Sequence, residues 1–184
     1  MSVSKTEIRL AGFGGQGIVL AGSILGKAAA LYENLNAVFT QSYGPEARGG
    51  ACSADVVLST GPIHYPKVST PQILVIMSEE AKNTYGAGMT PEMTVIVDQD
   101  LVDMDQGPEG CEFYKVRATR MAEKLGRSIV ANIVMLGFLT SVTKVVSYKA
   151  MEQALLASIP PGTDELNLSA LKAGFEEGRK VLKD

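Results

Sequence analysis

The sequence predicts an α/β fold: a three-layer sandwich with a mostly parallel, Rossmann-like sheet and a helical C-terminal part. Three observations predict it. Short apolar runs alternate with helical patterns along the first two thirds of the chain, which is the signature of layered α/β domains. Two of those runs, QILVIM (72–77) and MTVIVD (93–98), are apolar almost throughout, as strands covered on both faces are. A glycine cluster, Gly12, Gly14, Gly15 and Gly17, stands between an apolar strand and an apolar helix.

Taken in order, residues 7–12 read as a buried strand and 16–32 as a helix that begins within the glycine cluster. NAVFTQ (36–41) reads as a second strand, and CSADVVLS (52–59) as a third with partial alternation. Three prolines break 61–71 into loop. After strand 72–77, Ser78 is placed to cap a short helix 79–85, with Glu79 and Glu80 favourably set against its dipole. Strands 93–98 and 111–116 follow, then helices near 117–126, 130–146 and 148–157. Pro160, Pro161 and Gly162 interrupt the chain before a last helix, 164–182, whose Leu168, Leu171, Phe175 and Leu182 share a face. The 184 residues are read as one domain, 1–184.

Composition excludes several classes. Apolar residues make up 46% and charged residues 20%, and the net charge is −3, so neither nucleic acid nor an anionic membrane is the expected partner. Residues 128–143 carry no charge, yet this stretch is shorter than the roughly 20 residues of a membrane span and includes Asn132, Thr140 and Ser141. It reads as a buried helix. Cys52 and Cys111 do not form a CxxC pair, which argues for packed, reduced thiols and a cytoplasmic setting. His64 is the sole histidine and reads as a loop residue rather than a metal ligand. Lys67 reads as a solvated charge, Glu176, Glu177, Arg179 and Lys180 as a solvated helix face, and Asp98 as a turn or capping carboxylate.

Gly12-Phe13-Gly14-Gly15-Gln16-Gly17 satisfies G-x-G-x-x-G in the strand–turn–helix context that phosphate binding requires. The acid that a dinucleotide ribose needs after the second strand is missing, because Thr40 and Gln41 stand there, which weighs against a nicotinamide-dependent dehydrogenase. Ile18 and Val19 follow the last glycine, so this is not a Walker loop. The alternative role for the glycines is a tight turn packing a helix onto a sheet. In either role, Gly14→Val is expected to be destructive. A second loop, TQSYGPEARGG (40–50), holds Tyr43, Glu46 and Arg48 among glycines and a proline. If strands one and two run in the same direction, both loops leave the carboxyl edge of the sheet, where ligands of open α/β sheets bind. Arg48 is then the cation of that rim, suited to a phosphate or a partner's carboxylate.

GFGGQGIVLAG followed by TQSYGPEARGG resembles the gamma subunit of the 2-oxoacid:ferredoxin oxidoreductases, and ILVIMSEEA and ANIVMLGFL resemble it as well. The resemblance implies a complex that oxidatively decarboxylates a 2-oxoacid to an acyl-CoA, carbon dioxide and reduced ferredoxin. It implies that thiamine diphosphate, magnesium and iron–sulfur clusters sit on alpha, beta and ferredoxin-like delta subunits, with ferredoxin as electron acceptor. This chain is then expected to bind none of these cofactors alone and to carry no catalytic residue. It would help assemble the complex and form the coenzyme A region through Gly12, Gly14, Gly15, Gln16, Gly17, Tyr43, Glu46 and Arg48. 2-Oxoglutarate is the favoured substrate. The alternatives are an indolepyruvate oxidoreductase subunit and a free-standing nucleotide or coenzyme A-binding module.

Overall fold

The computed structural model describes residues 4–43 and 50–183. Six strands, β1 (Lys5–Phe13), β2 (Asn36–Tyr43), β3 (Ala51–Ser59), β4 (Ile73–Ile76), β5 (Thr94–Asp98) and β6 (Glu112–Val116), form one sheet in the order β2-β3-β1-β4-β5-β6. Strands β1, β4, β5 and β6 are mutually parallel, as expected of their apolar runs. β3 is antiparallel to both β1 and β2. The reason lies in chain length. Residues 44–50 link β2 to β3, and a parallel crossover needs a dozen residues or more, so this short link returns the chain as a hairpin. β3 therefore lies beside β1, in the place a dinucleotide fold gives to its second strand.

Because both flank the antiparallel β3, β1 and β2 run in the same direction. Gly12 and Tyr43 are each paired with Cys52. The ends of β1 and β2 thus reach the same edge, two strand spacings or about 10 Å apart.

The helices are α1 (Ile18–Lys27), α2 (Glu79–Tyr85), α3 (Ala118–Lys124), α4 (Ala131–Thr143), α5 (Tyr148–Leu156) and α6 (Asp164–Val181). The helix expected over 16–32 ends as α1 at Lys27 and continues as a π-helical turn, Ala28–Tyr32. Ser78 caps α2 as its position suggested, its Oγ accepting from the Ala81 N–H at 3.2 Å. The two helical layers are unequal. α1 and α3–α6 pack over one face, where Ile8, Leu10, Val56, Val75 and Ile96 meet Ile24, Leu136 and Phe138. On the other face α2, Met89, Cys111 and the segment carrying Val102 and Met104 cover Leu74, Ile76, Val95 and Val97.

Polar contacts cover the rest of that thinner face. Arg9 and Asp55 are directly opposed across β1 and β3 and form a two-point ion pair at 2.8 and 2.6 Å. Arg9 also donates to the Val68 carbonyl at 3.0 Å and lies 5.0 Å from the centre of the Tyr85 ring. One guanidinium thereby ties two strands, the 61–71 loop and α2 together, and its bond to Asp55 raises its already high pKa.

α4 is the central helix, buried from Ala131 through Ser141. No charge occurs there because α4 has no solvent face: the sheet lies beneath it, with Phe138 edge-on to Tyr114 of β6, and α6 lies above. A Cβ added at Gly137 would meet the Leu171 carbonyl, and one at Gly174 would meet the Val134 carbonyl. The two backbones touch through paired glycines, an approach any side chain forbids. Among the described residues no helix is long and apolar enough to cross a membrane.

Gly174→Ala is expected to destabilise the domain by about 2–3 kcal/mol, because the obstacle is backbone and cannot rotate away. Urea unfolding measures this, with Ala173→Gly on the same helix as a control costing about 1 kcal/mol or less.

Candidate functional site

β1 delivers the chain to the carboxyl edge of the sheet, and residues 14–17 turn it into α1. Gly15 (φ 107°) and Gly17 (φ 73°) adopt conformations that L side chains avoid. Gly12 is required for space: a Cβ there would come within 2.7 Å of Ile18 Cδ1. Gly14 is different. Its φ is not in the left-handed region and nothing lies within 4 Å of an added Cβ, so a Cβ at Gly14 meets no obstacle, against the expectation that this glycine is indispensable.

Gln16 organises the turn. Its Oε1 accepts from the Phe13 N–H at 2.9 Å, and its Nε2 donates to the Met77 carbonyl at 2.7 Å, joining the end of β1 to the end of β4. The Gly17 carbonyl accepts the first helical bond, from Ala21 N–H at 2.9 Å, and a second from Asn132 Nδ2 at 3.0 Å. In the sequence Asn132 merely interrupts an apolar stretch; a polar residue near the start of an uncharged helix is the signal that it bonds to something buried. α1 opens with no side-chain cap and no acidic residue in its first turn. Its leading amides point to the rim, the arrangement that receives anions.

Beside the turn lies a cleft of about 400 Å³ whose walls include Phe13, Gly15, Gln16, Leu101, Thr119 and Ile129. Its rim is apolar and open: Ile129 is 69% exposed, Phe13 38% and Leu101 38%. Glu123 and Ser128 also line it. Asp98 lies beneath, fully buried at the end of β5. Its carboxylate accepts from Asp100 N–H (3.1 Å), Thr119 N–H (3.1 Å) and the Thr119 hydroxyl (2.6 Å), so it forms a turn and caps α3. Burial pushes its pKa up against the pull of these bonds.

Of the sequence-predicted site residues, Gly12, Gly14, Gly15, Gln16 and Gly17 share this rim. Tyr43 ends β2 on the same edge, level with Gly12. Glu46 and Arg48 lie outside the described residues. Cys52 is buried on the α4 face of the sheet and Cys111 packs against the opposite face, so the two thiols cannot share a ligand. Desolvation raises the pKa of both, which suits packed thiols rather than nucleophiles.

Comparison with known proteins completes the description. The family model for pyruvate ferredoxin/flavodoxin oxidoreductase matches residues 7–177. The 2-oxoglutarate synthase subunit KorC of Methanocaldococcus jannaschii is 53% identical over 179 residues, covering 96% of each chain. The KorC subunit of Methanothermobacter marburgensis is 52% identical, covering 96% of this chain and all of its own. The crystal structure of a keto/oxoacid ferredoxin oxidoreductase gamma subunit from Geobacter sulfurreducens superposes with a TM-score of 0.85 at 39% identity. It covers 95% of this chain and 99% of its own.

Two expectations follow from the geometry. Gly17→Ala is expected to cost about 2 kcal/mol or more, from the left-handed backbone and the collision with Asn132, whereas Gly14→Ala leaves stability within about 0.5 kcal/mol. Paired denaturation curves separate them. For Asp98 the raised folded pKa means the native state holds its proton more tightly than the unfolded chain. Its contribution is present below the unfolded pKa and is lost as pH rises through the folded one. Urea midpoints of wild type and Asp98→Asn, followed from acidic to neutral pH, are expected to show this falling component in the wild type alone.

Proposed function

The chain belongs to the pyruvate ferredoxin/flavodoxin oxidoreductase family, and on that footing we propose that it is the gamma-type subunit of a 2-oxoglutarate:ferredoxin oxidoreductase. The observation that carries this reading is an uncapped, acid-free helix start framed by glycines, in a chain 53% identical to a 2-oxoglutarate synthase subunit. The complex would convert a 2-oxoacid and coenzyme A to an acyl-CoA and carbon dioxide, with the two electrons passing to ferredoxin. Thiamine diphosphate, magnesium and the iron–sulfur clusters would belong to the alpha, beta and ferredoxin-like subunits. Two free thiols on opposite faces of the sheet suit that division and a reducing cytoplasm.

This chain's contribution is binding and position. The residues present fit a phosphate of coenzyme A. Gly14, Gly15 and the first amides of α1 would donate to its oxygens, and Arg48, from the loop after β2, would add a charge-assisted pair. Gln16 and Asn132 would hold those amides in place through Met77 and the Gly17 carbonyl. The exposed Phe13, Leu101 and Ile129 would seat the alpha subunit and exclude water beside the cofactor arm.

In the assembled enzyme, Arg48→Ala is expected to raise the KM for coenzyme A by roughly tenfold, with the KM for the 2-oxoacid unchanged. Calorimetry of coenzyme A with the lone chain is expected to show weak binding that the alpha subunit strengthens. Unaltered coenzyme A kinetics in the variant, or equally tight binding by the lone chain, would overturn the reading.

A further inference from the structure

A second cleft lies away from the glycine turn. α4 begins beside Gly17 and ends at Thr143, about 20 Å along its axis. At that far end, between the close of α4, the start of α5 and the last turns of α6, is a cleft of about 800 Å³. Its volume falls within the range of small-molecule sites.

Its chemistry is as distinctive as its size. Tyr148 and Phe175 form an aromatic pair, ring centres 4.7 Å apart and tilted by 56°, and both line the cleft together with Val145 and Leu182. Three cations, Lys144, Arg179 and Lys183, also line it. Each is exposed, and among the described residues none takes part in an ion pair, although seven other pairs form. The one carboxylate in the lining, Glu33, accepts from the Ser147 N–H at 2.8 Å. Ser147, by its hydroxyl first and its N–H second, holds the Glu33 pKa below the usual range. Ser141, also in the lining, has a buried hydroxyl with no partner among the described residues. Glu152 and Glu176 also lie near Tyr148, and Glu176 is paired with Lys172, so the three cations on the cleft wall are left without an ion pair among the described residues.

We propose that this cleft binds an organic phosphate with a flat apolar body, of the purine-nucleotide class, with the body against Tyr148 and Phe175 and the phosphates among Lys144, Arg179 and Lys183. The aromatic pair supplies a face on which a ring can lie. The guanidinium supplies two-point recognition and the lysines add charge without directional demand. Glu33, already bonded to Ser147, does not compete for the cations. The site is separate from the glycine rim and is independent of the coenzyme A reading.

The probe is ADP, titrated into the isotope-labelled full chain and followed by backbone amide NMR, with adenosine as the control. Saturable shifts at residues 144–148 and 175–183, absent with adenosine, support the proposal. The exposed double variant Arg179→Gln/Lys183→Gln is expected to weaken ADP by roughly tenfold while leaving the rest of the spectrum in place. Tyr148→Leu, which keeps an apolar side chain, is expected to weaken ADP and leave pyrophosphate binding unchanged. The proposal fails if ADP does not bind saturably, if adenosine binds equally well, or if the shifts fall only at residues 12–21. It fails too if the assembled complex buries residues 144–148 and 175–183 against a sister subunit so that ADP cannot enter.

Discussion

The Gly17 carbonyl joins two elements on which the rest of the structure depends. It starts α1 through Ala21 and accepts from Asn132, so the glycine turn is tied to the first turn of α4. α4 is in turn locked against α6 by backbone contact at Gly137 and Gly174. A rim of otherwise loose amides is thus held by the most buried helix in the domain. A binding site gains from such rigidity, because amides already aligned lose little entropy when an anion arrives.

The division of the molecule into a thick and a thin helical face follows from the same arrangement. Five helices crowd one side, and α4 must be apolar all round because it has neighbours all round. The other side relies on one short helix, loop segments and the Arg9–Asp55 pair. There a half-buried guanidinium with carboxylate, carbonyl and ring partners does what side-chain packing does elsewhere. The apolar character of 131–141 is accounted for within the domain, whereas Ile129, just before α4, stands exposed.

Strand and helix positions were legible in the residues to within a few places, because apolar runs and capping serines act locally. Ser78 and Asp98 are examples: each does what its position before a helix or after a strand implies. The antiparallel course of β3 was not legible, since its residues resemble those of a parallel neighbour and only the short link from β2 betrays it. Gly14 misled for the opposite reason. It shares a motif with two glycines needed for their backbone conformation and one needed for space, yet the space around its own Cβ is open. Asn132 escaped notice because its partner lies 115 residues away.

What the sequence determined by itself was the α/β class, the place of the glycine turn and the family likeness carried by its two early loops. These rest on short-range periodicity, backbone freedom and recognisable strings of residues. What only the tertiary structure decided was which glycines are indispensable, that β1 and β2 bring their loops to one edge, and that three cations from the ends of α4 and α6 surround an aromatic cleft. Those outcomes depend on segments far apart in the chain meeting in space, and no local pattern of side chains encodes such a meeting.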